Sequence, residues 1–268
     1  MEIKKIINTI EAFAPLDLQS SWDCSGWVID NEPQPYVIVR QKSSPINNAI
    51  TEAISPNVDK SPVGSDIHRE VKKILLALTV DEEIVNQALA KGCDLIISHH
   101  PLFYIPFSFQ KGISIYSAHT NLDVAKGGTT DTMISLLGLG TPTHCGEFLR
   151  TVESEQEILV EDFIKLVKNK LNIDSLKIVN KSNLKLVKKI AFCAGSGADF
   201  LNEAQQLNAD VYVTGDIKFH TAFDSEIVLI DVGHFESERP VLSTLKELLT
   251  PLNVEVIIAD EKSPFTFC

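Results

Sequence analysis

KKILLALTVDEEIVNQALAKGCDLIISHH, residues 72–100, decides the fold. A charged pair leads into an apolar run, Ile74–Val80, that is too short for a helix and continuous enough for a strand covered on both faces. Asp81 then opens a helical stretch that Gly92 stops. A second apolar run, Asp94–Ser98, follows at once. Strand, helix and strand with a short return predict a crossover that pairs the two strands in parallel. The design recurs at residues 188–216, KKIAFCAGSGADFLNEAQQLNADVYVTGD, alike in layout and only modestly in identity. A duplication explains the likeness, and so does shared α/β grammar.

Around these units the expected order is a helix at 3–13 with Ile3, Ile6, Ile7 and Ile10 on one face, a short strand at 36–40, a strand at 113–118 and a helix at 129–139. A strand at 147–152, a helix over EDFIKLVKNKL and a strand in IVLID follow. A helix in RPVLSTLKELLT and a final strand in VEVIIA close the chain. The fold class is α/β: two similar lobes, each with a mostly parallel central sheet flanked by helices. Residues 1–140 form the N-terminal lobe and 141–268 the C-terminal lobe, and the last helix and strand can pack across both. Residues 31–69 stand apart as a polar Ser-, Pro- and Asn-rich excursion.

With 268 residues, 44 % of them hydrophobic, the chain can bury a real core. Its 36 acidic and 24 basic residues give a net charge of -12, which disfavours nonspecific nucleic-acid binding through phosphates. The five cysteines are widely spaced, odd in number and without a CxxC pair, which argues against a zinc finger and a disulfide framework. No apolar run is long enough for a membrane span, and the N-terminus does not read as a signal peptide. A reducing cytoplasm is the expected home.

Ligands of open α/β sheets sit beyond the carboxyl ends of the strands, and the polar groups of this sequence gather there. His99 and His100 end DLIIS, and His119 and Asp123 follow ISIYSA. Asp216 ends VYVTG, with His220 four residues on. Asp231, His234, Glu236 and Glu238 follow IVLI, so five of the seven histidines fall at such ends. Imidazoles mixed with carboxylates suit zinc, manganese or iron. Adjacent residues of an extended chain point to opposite sides, so His99 and His100 suit two ions, or one ion and a supporting role. His234 and Glu238 are four apart, but Pro240 belongs in the first turn of any helix, and the pair is expected on a loop leading into helix 239–249. CAGSG, residues 193–197, reads better as an ordinary turn than as a phosphate cradle, since no P-loop lysine follows.

DLIISHHPLFY, YSAHTNLDVAKGG, FCAGSG, ADVYVTGDIKFH and DVGHFESERP occur together and in order. With WDCSGW at 22–27 and DEKSPF at 260–265, they resemble the dinuclear metal-centre family known as GTP cyclohydrolase I type 2 homologues. The likeness covers residues 1–30 and about 70–268. It implies a metal site between two α/β lobes, with two divalent ions per chain held by His99, His100, Asp123, His234 and Glu238. It implies supporting or proton-transfer roles for His119, Asp216 and His220, and a toroidal homo-hexamer. Cys24, Asp30 and Ala77 depart from the family pattern, leaving those ligands intact but changing positions near the pocket. The expected activity is metal-assisted hydrolysis of a small molecule, a nucleotide or phosphoester among the candidates. Five protein ligands for two ions leave coordination positions for water or substrate. The alternative is a non-catalytic metal-binding or scaffold ring.

Overall fold

The computed structural model describes residues 1–29, 69–102 and 112–266. The strand expected at 36–40 and nearly all of the polar segment 31–69 lie outside them. In chain order the elements are α1 (Ile3–Phe13), β1 (Gly26–Ile29), β2 (Lys73–Ala77), α2 (Glu82–Ala90), β3 (Leu95–Ser98), β4 (Ser114–Ser117), α3 (Thr120–Val124), α4 (Thr129–Leu137), β5 (Thr143–Cys145) and β6 (Leu149–Leu159). There follow α5 (Val160–Leu171), β7 (Lys177–Val179), β8 (Leu186–Phe192), α6 (Leu201–Gln206), β9 (Val211–Thr214), α7 (Phe219–Asp224), β10 (Val228–Asp231), α8 (His234–Glu238), α9 (Val241–Leu249) and β11 (Glu255–Ile258). The chain divides into two compact units, Met1–Asn121 with Lys246–Ala259, and Leu122–Leu245 with Asp260–Cys268.

The first unit holds a sheet ordered β1-β4-β3-β2-β11. Its strands run parallel except for the edge strand β1, which is antiparallel to β4. One face sends Leu75, Ala77, Ile96 and Ile115 into a core with Ile84, Val85 and Ala88 of α2. Asp81 caps that helix by accepting the Ile84 amide at 2.8 Å, which satisfies one of its orphan donors. The other face carries Ile74, Leu76, Leu95, Ile97 and Tyr116, all fully buried. Tyr116 donates from its hydroxyl to Glu11 of α1 at 2.8 Å. The four isoleucines of α1 are buried as their spacing predicts.

The second unit holds a sheet ordered β5-β6-β8-β9-β10-β7. Only β8, β9 and β10 run parallel; β5, β6 and β7 pair antiparallel with their neighbours, so this sheet is mixed. Val211, Val213, Ile190, Phe192, Val228 and Ile230 face α4 and α5, whose Met133, Ile134, Phe163 and Val167 complete one core. Ala191, Tyr212 and Leu229 face Leu201 and Ala204 of α6 in another. Both faces are covered, which is why these strands are apolar without alternation.

The repeat seen in the sequence has a counterpart in hydrogen bonding. Asp94 accepts the amides of Lys72 and Lys73 at 2.7 and 3.0 Å. Asp210 accepts those of Lys188 and Lys189, both at 2.8 Å. Each aspartate ties the start of one parallel strand to the start of the next. No helix among the described residues is long and apolar enough to cross a membrane.

Two local expectations change. His234 and Glu238 sit on a short helix, α8, not on a loop. Pro240 is accommodated because α8 stops at Glu238 and α9 starts afresh at Val241. The helix that the repeated layout places within residues 188–216 is broken into a 3-10 turn, Ala198–Phe200, and the short α6.

Candidate metal sites

In the first unit, β3 delivers His99 and His100 at its carboxyl end. Their rings do not diverge: the centroids are 4.9 Å apart. The opposed geometry expected from an extended chain fails because the strand ends at Ser98 and the next two residues lie in a bend. The bend is tied down by the Ser98 hydroxyl, which donates to the His100 carbonyl at 3.0 Å. His119, just past β4, brings a third ring, 5.2 Å from that of His99 and 5.6 Å from that of His100. One ring nitrogen of each lies within 4.8 Å of the others, a spacing that can hold a metal ion.

Each of these rings is held by its Nδ1. His99, fully buried, donates to the Ala118 carbonyl at 2.9 Å. His100 Nδ1 lies 2.7 Å from the Thr79 hydroxyl. His119 Nδ1 meets Asp23 at 2.8 Å. Burial alone would raise the Asp23 carboxyl, but hydrogen bonds from His119, Thr120 and Ser25 and the His119 charge hold it well below the usual carboxylate range. Asp23 was not singled out by the sequence; its place between two tryptophans in WDCSGW was the only signal.

In the second unit, Asp123 lies on α3 and Glu238 on α8, with a carboxylate oxygen of each within 4.8 Å of the other. The Thr129 hydroxyl donates to Asp123. Arg150, fully buried, donates to the carbonyls of Asp123 and Val124, both at 3.1 Å, and to Asp131 at 2.8 Å. His144 also meets Asp131, at 2.9 Å. Arg150 and Asp131 thus brace the turn that carries Asp123, a role the sequence reading missed.

His234 stands between two carboxylates: Nδ1 is 2.7 Å from Asp216 and Nε2 is 3.0 Å from Glu238. Burial disfavours its charged form, but the hydrogen bond and charge of Glu238, and then those of Asp216, outweigh this and raise its pKa to about 9. Glycines make the room. Gly195, at φ +70°, lies where a Cβ would come 2.0 Å from Glu238 Oε1, and a Cβ on Gly215 would lie 2.8 Å from the His234 amide. CAGSG is therefore a turn that clears space for a carboxylate. Asp231, buried, accepts from Lys177 Nζ and the Gly233 amide and stiffens the turn before His234. His220 is exposed on α7 with its ring 5.5 Å from that of Phe219, and it joins no such metal-capable group among the described residues.

The donors fit a divalent ion of borderline hardness. They combine imidazoles engaged at Nδ1 with the carboxylates of Asp123 and Glu238, and no thiolate joins these groups among the described residues. The strand ends of this α/β fold thus carry groups that could hold a metal ion.

The model of the Duf34/NIF3 (NGG1p interacting factor 3) family matches residues 41–264, and the chain belongs to that family. It is 31 % identical to a Clostridium perfringens protein named GTP cyclohydrolase 1 type 2 homolog, over the whole of both chains. It is 30 % identical to a Campylobacter jejuni protein of the same name, again over the whole of both. Among solved structures, Staphylococcus aureus hypothetical protein SA1388 superposes with a TM-score of 0.78 at 24 % identity, over 100 % of this chain and 99 % of that one, a likeness of fold.

Proposed function

We propose that this protein is a metal-dependent hydrolase acting on a small molecule, with a nucleotide as the favoured substrate class. In this reading His99, His100, Asp123, His234 and Glu238 bind two divalent ions per chain. The observation that carries it is the pairing of donor chemistries: imidazoles held at Nδ1 in one unit, and Asp123, Glu238 and His234 grouped in the other. The relatives named GTP cyclohydrolase 1 type 2 homolog support a purine nucleotide as the first substrate to try.

Divalent ions held there would supply Lewis-acid polarisation and water activation near neutral pH. The chain's own residues do the rest. Asp123 and Glu238 contribute negative charge that offsets the repulsion between two cations. Asp216 orients His234 through Nδ1 and, being exposed, can pass a proton to solvent. Bound cations also reverse locally the repulsion that a chain of charge -12 exerts on an anionic substrate. A homo-hexameric ring and a cytoplasmic location belong to the same proposal.

The test is turnover of GTP, other nucleotides and simple phosphoesters by protein loaded with Mn²⁺ or Zn²⁺, read by purine absorbance and phosphate release. Turnover that disappears in His234→Ala supports the reading. Silence across the panel from protein of verified metal content rejects catalysis and leaves the metal-binding scaffold.

A further inference from the structure

The sequence WDCSGW places one aspartate, Asp23, in a loop with no regular structure before β1. That carboxylate is almost wholly buried, at 3 % exposure, yet no lysine or arginine is seen to meet it among the described residues. Its contacts come from donors. Oδ1 takes the Cys24 amide at 2.7 Å and the His119 ring at 2.8 Å. Oδ2 takes the Ser25 hydroxyl at 2.8 Å, the Thr120 amide at 3.0 Å and the Thr120 hydroxyl at 2.5 Å. The Ser25 hydroxyl in turn accepts the His119 amide at 3.1 Å, so the loop grips His119 by backbone and ring together.

An ionised carboxylate only accepts. The proton in the Asp23–His119 bond therefore sits on Nδ1, which leaves Nε2 as the ring nitrogen available to another partner. His99 reaches the same tautomer by another route, since the Ala118 carbonyl at its Nδ1 can only accept. His100 has its Nδ1 engaged by Thr79 as well. With the Nδ1 of each ring taken up in this way, Nε2 is the nitrogen each ring can offer to a shared ion, and one ring nitrogen of each lies within 4.8 Å of the others. In metalloproteins, imidazole ligands are oriented in this way, by a carboxylate or carbonyl on the far nitrogen.

We propose that Asp23 is a positioning residue for a metal donor: it locks His119 as the Nδ1–H tautomer and makes its Nε2 the third imidazole ligand, with those of His99 and His100, for one divalent cation. This rests on the reading above that the chain binds divalent ions, and adds a donor outside the five residues named there. The Trp22 ring meets that of His119 edge-on at 5.9 Å.

The experiment is a long-range ¹H–¹⁵N correlation spectrum of the histidine rings in labelled full-length protein, metal-free and through a Zn²⁺ titration. His119→Gln assigns the His119 signals, and Zn²⁺ affinities of wild type and Asp23→Asn come from chelator competition. The expected result is a single Nδ1–H tautomer for His119, and Zn²⁺-dependent shifts of Nε2 in His99, His100 and His119 together. Asp23→Asn should mix the His119 tautomers and weaken Zn²⁺ binding by about 10- to 100-fold. Shifts at His99 and His100 with His119 unmoved would overturn the inference and leave Asp23 a loop anchor, with the broader metal reading intact. No shift at any of the three at saturating Zn²⁺ would overturn both. If Asp23→Asn fails to fold, the wild-type titration alone still decides.

Discussion

The Glu238 carboxylate fills the space that a side chain on residue 195 would need: a Cβ there would stand 2.0 Å from Oε1. Gly195→Ala must move Glu238 or the turn, and it also puts a side chain at φ +70°, which costs about 1–2 kcal/mol. We expect lower metal affinity with the fold retained. Chelator competition on the purified variant checks this, and an unchanged affinity would remove Glu238 from the ligand set.

Much of this architecture is legible in the sequence because period and punctuation coincide. Ile3, Ile6, Ile7 and Ile10 mark a helix face, Asp81 and Gly92 bracket α2, and the two Lys-Lys-Ile runs announce the paired units. The edge strands β5 and β7 were missed, for three residues carry too little pattern. Helix α8, five residues long, has no period to read, and Pro240 argued for a loop. The shared direction of His99 and His100 depends on a bend that begins after Ser98, which no spacing rule contains. The Asp23–His119 bond joins residues 96 apart in the chain, and Arg150 meets Asp131 only through the fold. Five ligand candidates were named from strand ends and resemblance, whereas the residues that brace them had no local signature.

Arg150 is fully buried against Asp131 and reaches the backbone carbonyls beside Asp123. Arg150→Ala would remove the cation from Asp131 Oδ1, leaving that carboxylate to His144 and the Gly127 amide, and would free those carbonyls. Breaking one partner of a buried pair typically costs about 3–5 kcal/mol. Urea unfolding should show a loss of that order, together with reduced metal content; a loss under about 1 kcal/mol, the value of an exposed pair, would show that the pair is not structural.

Ile96 lies in the middle of the first sheet, opposite Leu75 and Ile115 and without exposure. Truncation to Ala removes buried methylenes and leaves a cavity, at about 2–5 kcal/mol. An unchanged denaturation midpoint would contradict its place in the core.

His234 gives the metal-free protein a defined response to pH. Its pKa is raised from 6.5 to about 9 by Glu238 and Asp216 against the opposing effect of burial. A raised histidine stabilises fully below the unfolded value and loses that contribution as pH climbs through the folded one, here between about 6.5 and 9. A metal needs the neutral ring, so binding at pH 7 should release a proton and tighten with pH until about 9. Calorimetry in buffers of different ionisation enthalpy measures the release. Absence of proton release at pH 7 would contradict His234 as a ligand.

The most direct test of the central claim is elemental analysis of untagged protein, with His99→Ala and Asp123→Ala alongside and their folding verified by circular dichroism. The account predicts two equivalents of divalent transition metal per chain, bound as purified or regained on titration, and less than two in each folded variant. A wild-type chain that neither retains nor takes up metal, or variants that keep both equivalents, would contradict it.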